Sequence, residues 1–304
     1  MQKTVVSISG GKDSTAMYLE AMERLQGDFL PVFADTGNEH EITLEYVSRL
    51  AERTGGPAIQ WVRADFRQRL FARKSFISAN YEPEKAAGAL AALEAMEEDS
   101  SPFLALCLWK GIFPSPIKRF CTIELKVLPI HKDIIEPLLD AGHVITNWQG
   151  IRADESESRS RMAETEIIDQ GVTAYRPLLH WTVQDVFAMH RRHGLDPNPL
   201  YKMGMSRVGC MPCIMSRKQE IAQIVRRFPE HIDKIRRWEK LVQLASKEGK
   251  ATFFQCTTIP GTSDTRASID NVVAWSQNKI PGQMKLPFFE RSIPSCQSEY
   301  GLCE

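Results

Sequence analysis

A polar run near the amino terminus combines residue types that bind phosphate. The run, called the phosphate loop below, consists of Ser9, Gly10, Gly11, Lys12, Asp13 and Ser14. The glycines let backbone N–H groups converge on a ligand, the lysine adds a full positive charge, and the serines add hydroxyl donors. The spacing differs from a Walker A loop, which places four residues between its first glycine and Gly-Lys-Ser/Thr. We therefore predict a site for a phosphate chain.

A second charged run, residues 150–159, carries two arginines among acidic and hydroxyl side chains. Arg152 and Arg159 can each grip a phosphate group through paired hydrogen bonds, and the carboxylates can orient the guanidinium groups or hold Mg²⁺. A charged run alone is typical of a solvated loop. Together with the phosphate loop, it predicts that both arginines stabilise negative charge on a ligand.

Thiols form the third chemical group. Cys210 and Cys213 have the Cys-x-x-Cys spacing that lets two thiolates bind one metal ion or cluster. Cys121 lies just ahead of a predicted helix that carries Lys126, a position that lowers the pKa of a thiol. The spacing leaves three interpretations open: a redox dithiol, a structural Zn²⁺ site and an iron–sulfur cluster.

A further thiol ligand would have to come from elsewhere in the chain. Cys296 and Cys303 are the candidates, because a thiol so close to a chain end is unusual as a packing residue. Cys107 and Cys256 have no accompanying motif, and we expect them to be structural. Seven cysteines, without an export signal, favour a reducing compartment, so a cytoplasmic protein without a membrane span is expected.

These groups need a scaffold that brings them together. The phosphate loop follows an apolar β-branched pattern at residues 4–8 and precedes a helix pattern, so it joins a strand to a helix N-terminus. Further strands are predicted at residues 29–34, 59–62 and 143–148. Strands separated by helical stretches are typical of a doubly wound parallel α/β sheet, whose ligands bind beyond the carboxyl ends of the strands. Asp35, Thr36 and Gly37 end the second strand, and we expect them to contact the same nucleotide.

The chain of 304 residues divides into two predicted parts. Residues 1–178 form the nucleotide-binding α/β domain, and residues 179–304 form a mainly helical, cysteine-containing region with a tail. Residues 82–100 predict an amphipathic surface helix. The 38 basic and 38 acidic residues cancel, so net charge does not favour nucleic acid. The basic residues at 202–240 could form a face for a polyanion or an ordinary solvated surface.

In this order the motifs resemble the phosphoadenosine phosphosulfate (PAPS) reductase-like branch of the PP-loop ATP pyrophosphatase superfamily. The resemblance covers roughly residues 3–245 and rests on five segments. They are the phosphate loop, the turn from Asp35 to Gly37, the stretch from Cys121 to Pro129, the run from Gly150 to Ser156, and Cys210 with Cys213. The resemblance implies cleavage of ATP between its α and β phosphates. Within the branch, the pattern is most similar to the ATP-pyrophosphatase subunit of bacterial DNA phosphorothioation systems.

Two departures separate the chain from PAPS and adenosine phosphosulfate (APS) reductases. Those enzymes have a degenerate phosphate loop and a C-terminal Glu-Cys-Gly-x-His nucleophile, whereas this chain keeps Gly-Gly-Lys-Asp and ends in Gly-Leu-Cys-Glu. The similarity to ATP-consuming members implies that Cys121, Cys210 and Cys213 hold a [4Fe–4S] cluster. Cys296 or Cys303 is our inferred fourth ligand, and Zn²⁺ is the alternative metal.

These features predict an ATP pyrophosphatase that adenylates an acceptor, such as a nucleic acid, for sulfur transfer. ATP and Mg²⁺ would bind across the phosphate loop and Asp35, Lys12 would neutralise the pyrophosphate, and Arg152 and Arg159 would stabilise the transition state. A sulfur donor such as a cysteine desulfurase is the expected partner, and the protein could form a homo-oligomer. Two alternatives stay open: a PAPS or APS reductase with Cys303 as nucleophile, and a regulatory module that binds ATP without turnover.

Overall fold

The computed structural model describes residues 1–99, 101–254 and 267–277, which contain a six-stranded sheet of order β3-β2-β1-β4-β6-β5. The strands are β1 (Gln2–Ile8), β2 (Leu30–Asp35), β3 (Gln60–Arg63), β4 (Val144–Trp148), β5 (Thr165–Asp169) and β6 (Val172–Tyr175). Neighbouring strands are parallel except for β5, which pairs antiparallel with β6. The predicted α/β fold with a mostly parallel sheet is confirmed, whereas the β5–β6 hairpin was not predicted. Because β5 is mostly exposed, it lacks the apolar alternation that identifies a strand.

Helices cover the sheet and form the carboxyl-terminal region. Before β4 the chain forms α1 (Lys12–Leu25), α2 (Glu41–Ser48), α3 (Leu50–Thr54), α4 (Arg67–Asn80), α5 (Pro83–Asp99) and α6 (Pro102–Lys110). A helical stretch at 120–140 follows, in which α7 (Phe120–Thr122), α8 (Leu128–Ile130) and α9 (Glu136–Asp140) alternate with π-helical turns. The later helices are α10 (Glu157–Ser160), α11 (Val183–Arg192), α12 (Pro199–Lys202), α13 (Lys218–Arg227), α14 (Pro229–Ala245) and α15 (Ile269–Ser276). None of the described helices has the length and hydropathy of a membrane span.

The strand order creates a crevice where β1 and β4 lie side by side. After β1 the chain continues to β2 on one side of the sheet, whereas after β4 it continues to β5 and β6 on the other side, so the strand order reverses between β1 and β4. The phosphate loop follows β1 and residues 149–152 follow β4. A Cβ on Gly150 would lie 3.6 Å from Ser14 Cα, which shows how closely the two loops approach. The fold therefore places the first two chemical groups at one edge of the sheet.

Both faces of the central strands are buried, as expected for a parallel sheet. Val6 and Ile8 pack with Met17 of α1 and Val186 of α11, whereas Val5 packs on the opposite face against the stretch at 120–140. A separate core joins α4, α5 and α6 to the carboxyl-terminal helices. The predicted helix at 82–100 forms as α5, and its apolar side contributes to this core.

Candidate functional site

The phosphate loop turns sharply between β1 and α1. Gly10 has a φ of +79°, and a Cβ there would lie 2.8 Å from Thr43 Cγ2, so both the backbone conformation and the space require glycine. The hydroxyl oxygens of Ser9 and Ser14 lie 2.9 Å apart. Gly11 precedes α1 without a side-chain cap, so the first N–H groups of the helix need other acceptors.

A buried carboxylate connects the phosphate loop to the run at 150–159. Asp13 is fully buried, and its two oxygens lie 2.5 Å from Lys12 Nζ and 2.5 Å from Arg152 Nε. Arg152 also donates to Asp154 at 2.6 Å. Burial opposes the charge on Arg152, but Asp13 and Asp154 outweigh it and raise the pKa of the guanidinium group. The arrangement keeps two cations side by side at the start of α1.

Arg159 is the second buried cation of this run. It forms an ion pair with Glu155, whose Oε2 also accepts from the Arg152 backbone N–H at 3.2 Å. Arg152 and Arg159 are 5% and 2% exposed, so these two residues do not belong to an ordinary solvated loop. A solvated loop, the interpretation that the charged run favours when taken alone, is therefore wrong: the guanidinium groups pair with three carboxylates, Asp13, Asp154 and Glu155, and are buried.

The turn after β2 contacts both β3 and α6. Asp35 accepts from the Gly37 N–H at 2.8 Å and lies 3.3 Å from Arg63 Nη1. A Cβ on Gly37 would lie 2.5 Å from Pro102 Cδ, which requires glycine at this close contact with α6. The Thr36 hydroxyl donates to Glu39 at 2.7 Å, so it points to the thiol side of the turn.

The Cys-x-x-Cys segment docks on this same turn. The Met211 N–H donates to the Asn38 carbonyl at 2.7 Å, and Asn38 Nδ2 donates to the Pro212 carbonyl at 2.9 Å. Cys210 Sγ lies 3.4 Å from Thr36 Oγ1 and 3.7 Å from a Glu39 oxygen. One turn therefore carries a candidate nucleotide ligand, Asp35, and contacts the thiols.

The three predicted thiols share one electrostatic environment. Lys126 interacts with Cys210, Glu39, Cys213 and Cys121; burial opposes its charge, but these neighbours together raise the pKa of its ammonium group. Burial also raises the pKa of Cys121 to about 12, with Cys213 adding to the effect. The lowered pKa expected for Cys121 is therefore wrong, because loss of solvation outweighs the opposing effects of Lys126 and of the hydrogen bonds with Thr122.

The spacing of the thiols bears on the metal they could hold. Among the described residues, three ligand atoms lie within 4.8 Å of one another at His40, Glu41 and His231, and no such group includes a cysteine. Tetrahedral Zn²⁺, with bonds of about 2.3 Å, holds its sulfurs about 3.8 Å apart. Cys121, Cys210 and Cys213 therefore do not all hold their sulfurs within 4.8 Å of one another. Cys256, Cys296 and Cys303 lie outside the described residues.

The histidine group itself does not have metal-site geometry. His231 Nδ1 donates to the Met211 carbonyl at 3.1 Å, and its Nε2 lies 3.4 Å from Glu41 Oε2. His40 Nδ1 accepts from the Ile42 N–H at 3.0 Å, and the two rings stack with an interplanar angle of 16°. An imidazole binds a metal in its own plane, so stacked rings cannot direct both lone pairs at one ion. The pair supports the Cys-x-x-Cys segment instead.

Three contacts on the phosphate loop come from residues that the sequence analysis did not single out. His190 Nε2 donates to the Lys12 carbonyl at 2.9 Å, and the Tyr201 hydroxyl accepts from the Lys12 N–H at 2.9 Å. Asn198 Nδ2 donates to the Gly10 carbonyl at 3.3 Å. All three belong to the carboxyl-terminal region, and no local pattern around them indicates a partner so far along the chain.

Comparison with known proteins identifies the family. The family model described as "phosphoadenosine phosphosulfate reductase domain" matches residues 3–216. The chain belongs to this PAPS reductase family. It is 43% identical over 282 residues to an "uncharacterized 37.8 kDa protein in gpa 5'region" of Escherichia phage 186, covering 88% of this chain and 84% of the phage protein.

Other relatives match smaller parts. An adenosine 5'-phosphosulfate reductase of Burkholderia cepacia is 33% identical over 94 residues, which is 30% of this chain and 38% of the reductase. A crystal structure of PAPS reductase from Candida auris in a phosphate complex has a TM-score of 0.44 and 16% identity, covering 69% of this chain and 82% of the reductase chain.

Proposed function

We propose that this protein cleaves ATP to AMP and pyrophosphate and transfers the adenylyl group to an acceptor for sulfur transfer. The observation that carries the proposal is the assembly of Lys12, Asp13 and Arg152 at the crevice between β1 and β4. A reductase acting on an already activated sulfonucleotide has no pyrophosphate to release and no evident need for the lysine. An enzyme that expels pyrophosphate needs positive charge where the leaving group develops its own charge.

The chemical steps use residues of the crevice. An acceptor oxygen attacks the α phosphorus of ATP, the bond from this phosphorus to the bridging oxygen breaks, and pyrophosphate departs with the electron pair. Lys12 neutralises the pyrophosphate, while Arg152 and Arg159 stabilise the transferring group. Mg²⁺ would bind the phosphates, with Asp35 as a predicted carboxylate ligand. Sulfur then displaces AMP from the adenylated acceptor, so AMP leaves with the oxygen that attacked.

The product of ATP cleavage tests this proposal directly. Purified protein with ATP, Mg²⁺, a sulfur donor and candidate acceptors should release pyrophosphate and AMP. Lys12→Met should lower the rate by about 100-fold or more, the effect of losing one charge-stabilising group. Lys240→Met is the matched control, because Lys240 is exposed on α14. Release of orthophosphate with ADP would contradict the proposal, and binding without any turnover would favour a regulatory module.

The cysteines fit an iron–sulfur cluster in their chemistry. Cys121, Cys210 and Cys213 supply soft thiolate ligands, and Lys126 supplies a compensating positive charge beside them. When bound, a [4Fe–4S] cluster would supply a redox-active, sulfur-binding iron centre. Cys296 or Cys303 would complete the ligand set.

Anaerobic purification tests the cluster. The protein should be brown and contain about four irons per chain. Cys210→Ala should abolish the colour, whereas Cys107→Val should keep it, because Cys107 is fully buried in an apolar core. One Zn²⁺ per chain and a colourless protein would contradict the iron–sulfur assignment. Separate Cys296→Ser and Cys303→Ser variants would identify the fourth ligand.

The favoured acceptor is a nucleic acid, in the manner of DNA phosphorothioation, with a cysteine desulfurase as sulfur donor. The motif order supports this choice, since the phosphate loop and the three cysteines occur together as in that class. Transfer of ³⁵S from labelled cysteine to DNA or RNA in the presence of ATP and a desulfurase tests it. If the ³⁵S stayed on the protein and did not appear in DNA or RNA, a nucleic acid would not be the acceptor.

An APS or PAPS reductase is the second candidate function. The partial similarity to the Burkholderia cepacia APS reductase favours it. It predicts release of sulfite from APS or PAPS with thioredoxin as reductant, and loss of that activity in Cys303→Ser. Absence of sulfite with both sulfonucleotides would exclude this candidate.

A further inference from the structure

Tyr201 occupies a position that a bound phosphate would need. Its hydroxyl oxygen lies 2.9 Å from the backbone nitrogen of Lys12, the first residue of α1. The Lys12 ammonium lies 5.9 Å from the centroid of the Tyr201 ring. Because Gly11 provides no side-chain cap, the tyrosine hydroxyl serves as an acceptor at the N-terminus of α1.

The tyrosine and a phosphate oxygen cannot both accept this N–H. A backbone N–H makes one well-directed hydrogen bond, and the phosphate chain proposed above would approach the same helix end. A phosphate oxygen carries negative charge and accepts more strongly than a neutral phenol, by roughly a factor of two. Binding of the phosphate chain at this N–H therefore displaces the Tyr201 hydroxyl.

The displaced residue belongs to the segment that leads to the thiols. Asn198, which starts α12, is 1% exposed and holds the Gly10 carbonyl, so it keeps α12 attached to the phosphate loop. Nine positions after Tyr201, Cys210 forms an isolated β-bridge with Glu39. The short segment between these anchors has one end at the phosphate loop and the other at the thiols.

We propose that Tyr201 is a gate of the phosphate loop, whose hydroxyl yields to nucleotide phosphate and thereby transmits nucleotide binding to the Cys210–Cys213 segment. The inference rests on the proposed ATP site, which it deepens by naming a positioning residue. The carboxyl-terminal region would then change when the nucleotide binds. In this scheme Asn198 is the fixed point and Tyr201 is the moving one.

Pyrophosphate binding, measured by isothermal titration calorimetry on the full chain, tests the gate. Tyr201→Phe keeps the ring but removes the competing hydroxyl, so pyrophosphate should bind about three- to tenfold more tightly, the scale of one neutral hydrogen bond. Tyr175→Phe is the control, because that hydroxyl accepts from Arg24 at 2.6 Å, away from the phosphate loop. Equal or weaker binding by Tyr201→Phe would overturn the gate, and weaker binding would mean that the hydroxyl donates to the phosphate.

Hydrogen exchange of residues 199–213 tests the transmission in the unmodified protein. Pyrophosphate should speed exchange in this segment, and Tyr201→Phe should show the faster exchange without pyrophosphate. Unchanged or slower exchange on saturation would overturn the transmission. If the unmodified protein does not bind pyrophosphate, the proposed ATP site is wrong. If it binds pyrophosphate but Tyr201→Phe does not bind it more tightly, only the proposal about Tyr201 is wrong.

Discussion

Asp13 is the residue on which the charge arrangement of the crevice depends. It is fully buried and contacts one cation on each oxygen, while Asp154, the other carboxylate on Arg152, has a half-exposed side chain. A buried ion pair that loses one partner leaves an uncompensated charge in a poorly solvated place. The two aspartates therefore differ in environment although they share a partner.

Replacement of Asp13 should be far more harmful than replacement of Asp154. Asp13→Asn leaves Lys12 and Arg152 facing each other without the intervening charge, and we expect a loss of about 3–5 kcal/mol in the free energy of unfolding. Asp154→Asn should cost about 1 kcal/mol or less, since water screens its half-exposed pair. Urea unfolding of the two variants measures the difference. If both variants lost a similar free energy of unfolding, the buried contacts of Asp13 with Lys12 and Arg152 would not be more important for stability than the half-exposed Asp154–Arg152 pair.

The turn between β1 and α1 illustrates how an element sets the site. Its glycine at position 10 combines a positive φ with contact to α2, because an added Cβ would meet Thr43 Cγ2 at 2.8 Å and Val47 Cγ2 at 2.9 Å. The path of the phosphate loop therefore depends on the packing of the next helix. Gly27 also has a positive φ, of +88°, but nothing lies within 4 Å of its missing Cβ.

Alanine variants of Gly10 and Gly27 distinguish the cost of a positive φ from the cost of a steric clash, because only Gly10 has neighbouring atoms near its missing Cβ. Gly27→Ala should cost about 1 kcal/mol, the penalty of a positive φ for a residue with a side chain. Gly10→Ala should cost about 1–3 kcal/mol more, because α2 must also move, and pyrophosphate binding should weaken with it. Thermal or urea unfolding gives the two costs. Equal costs would contradict the proposed contact with α2.

Three buried histidines couple the carboxyl-terminal helices to the rest of the molecule. His190 holds the phosphate loop, His231 holds the Cys-x-x-Cys segment, and His40 stacks on His231. Burial lowers the pKa of all three below the usual value of 6.5. The folded protein therefore keeps them neutral under conditions in which the unfolded chain has begun to protonate them.

The protein should consequently lose stability in mild acid. As the pH falls through 6.5, the unfolded chain binds more protons than the folded one, so the free energy of unfolding decreases until the lowered folded pKa values are reached. Above this range these histidines should contribute no pH dependence. Unfolding by urea between pH 7.5 and pH 5.5, values chosen to bracket the range, measures the slope. His231→Gln should reduce the slope and the exposed His180→Gln should not; equal slopes would contradict the assignment.

Local sequence was sufficient to predict the class of the fold and the turn that joins β1 to α1. The phosphate loop, the glycines and the first strands depend on backbone conformation and periodicity over a few residues, which a sequence displays directly. The same information could not show that burial raises the pKa of Cys121, since solvation depends on what packs around the thiol. It also did not show that Arg152 and Arg159 are buried.

Contacts between distant residues were decided by tertiary structure alone. Tyr201 reaches Lys12 across 189 positions, and Cys210 reaches Thr36 across 174. Neither pair leaves a periodic signal, because each contact arises from how the carboxyl-terminal helices pack against the sheet edge. The sequence therefore predicted a phosphate loop and a group of metal-binding thiols. Only the fold decided that these two groups are joined, through the turn after β2 and the segment before Cys210.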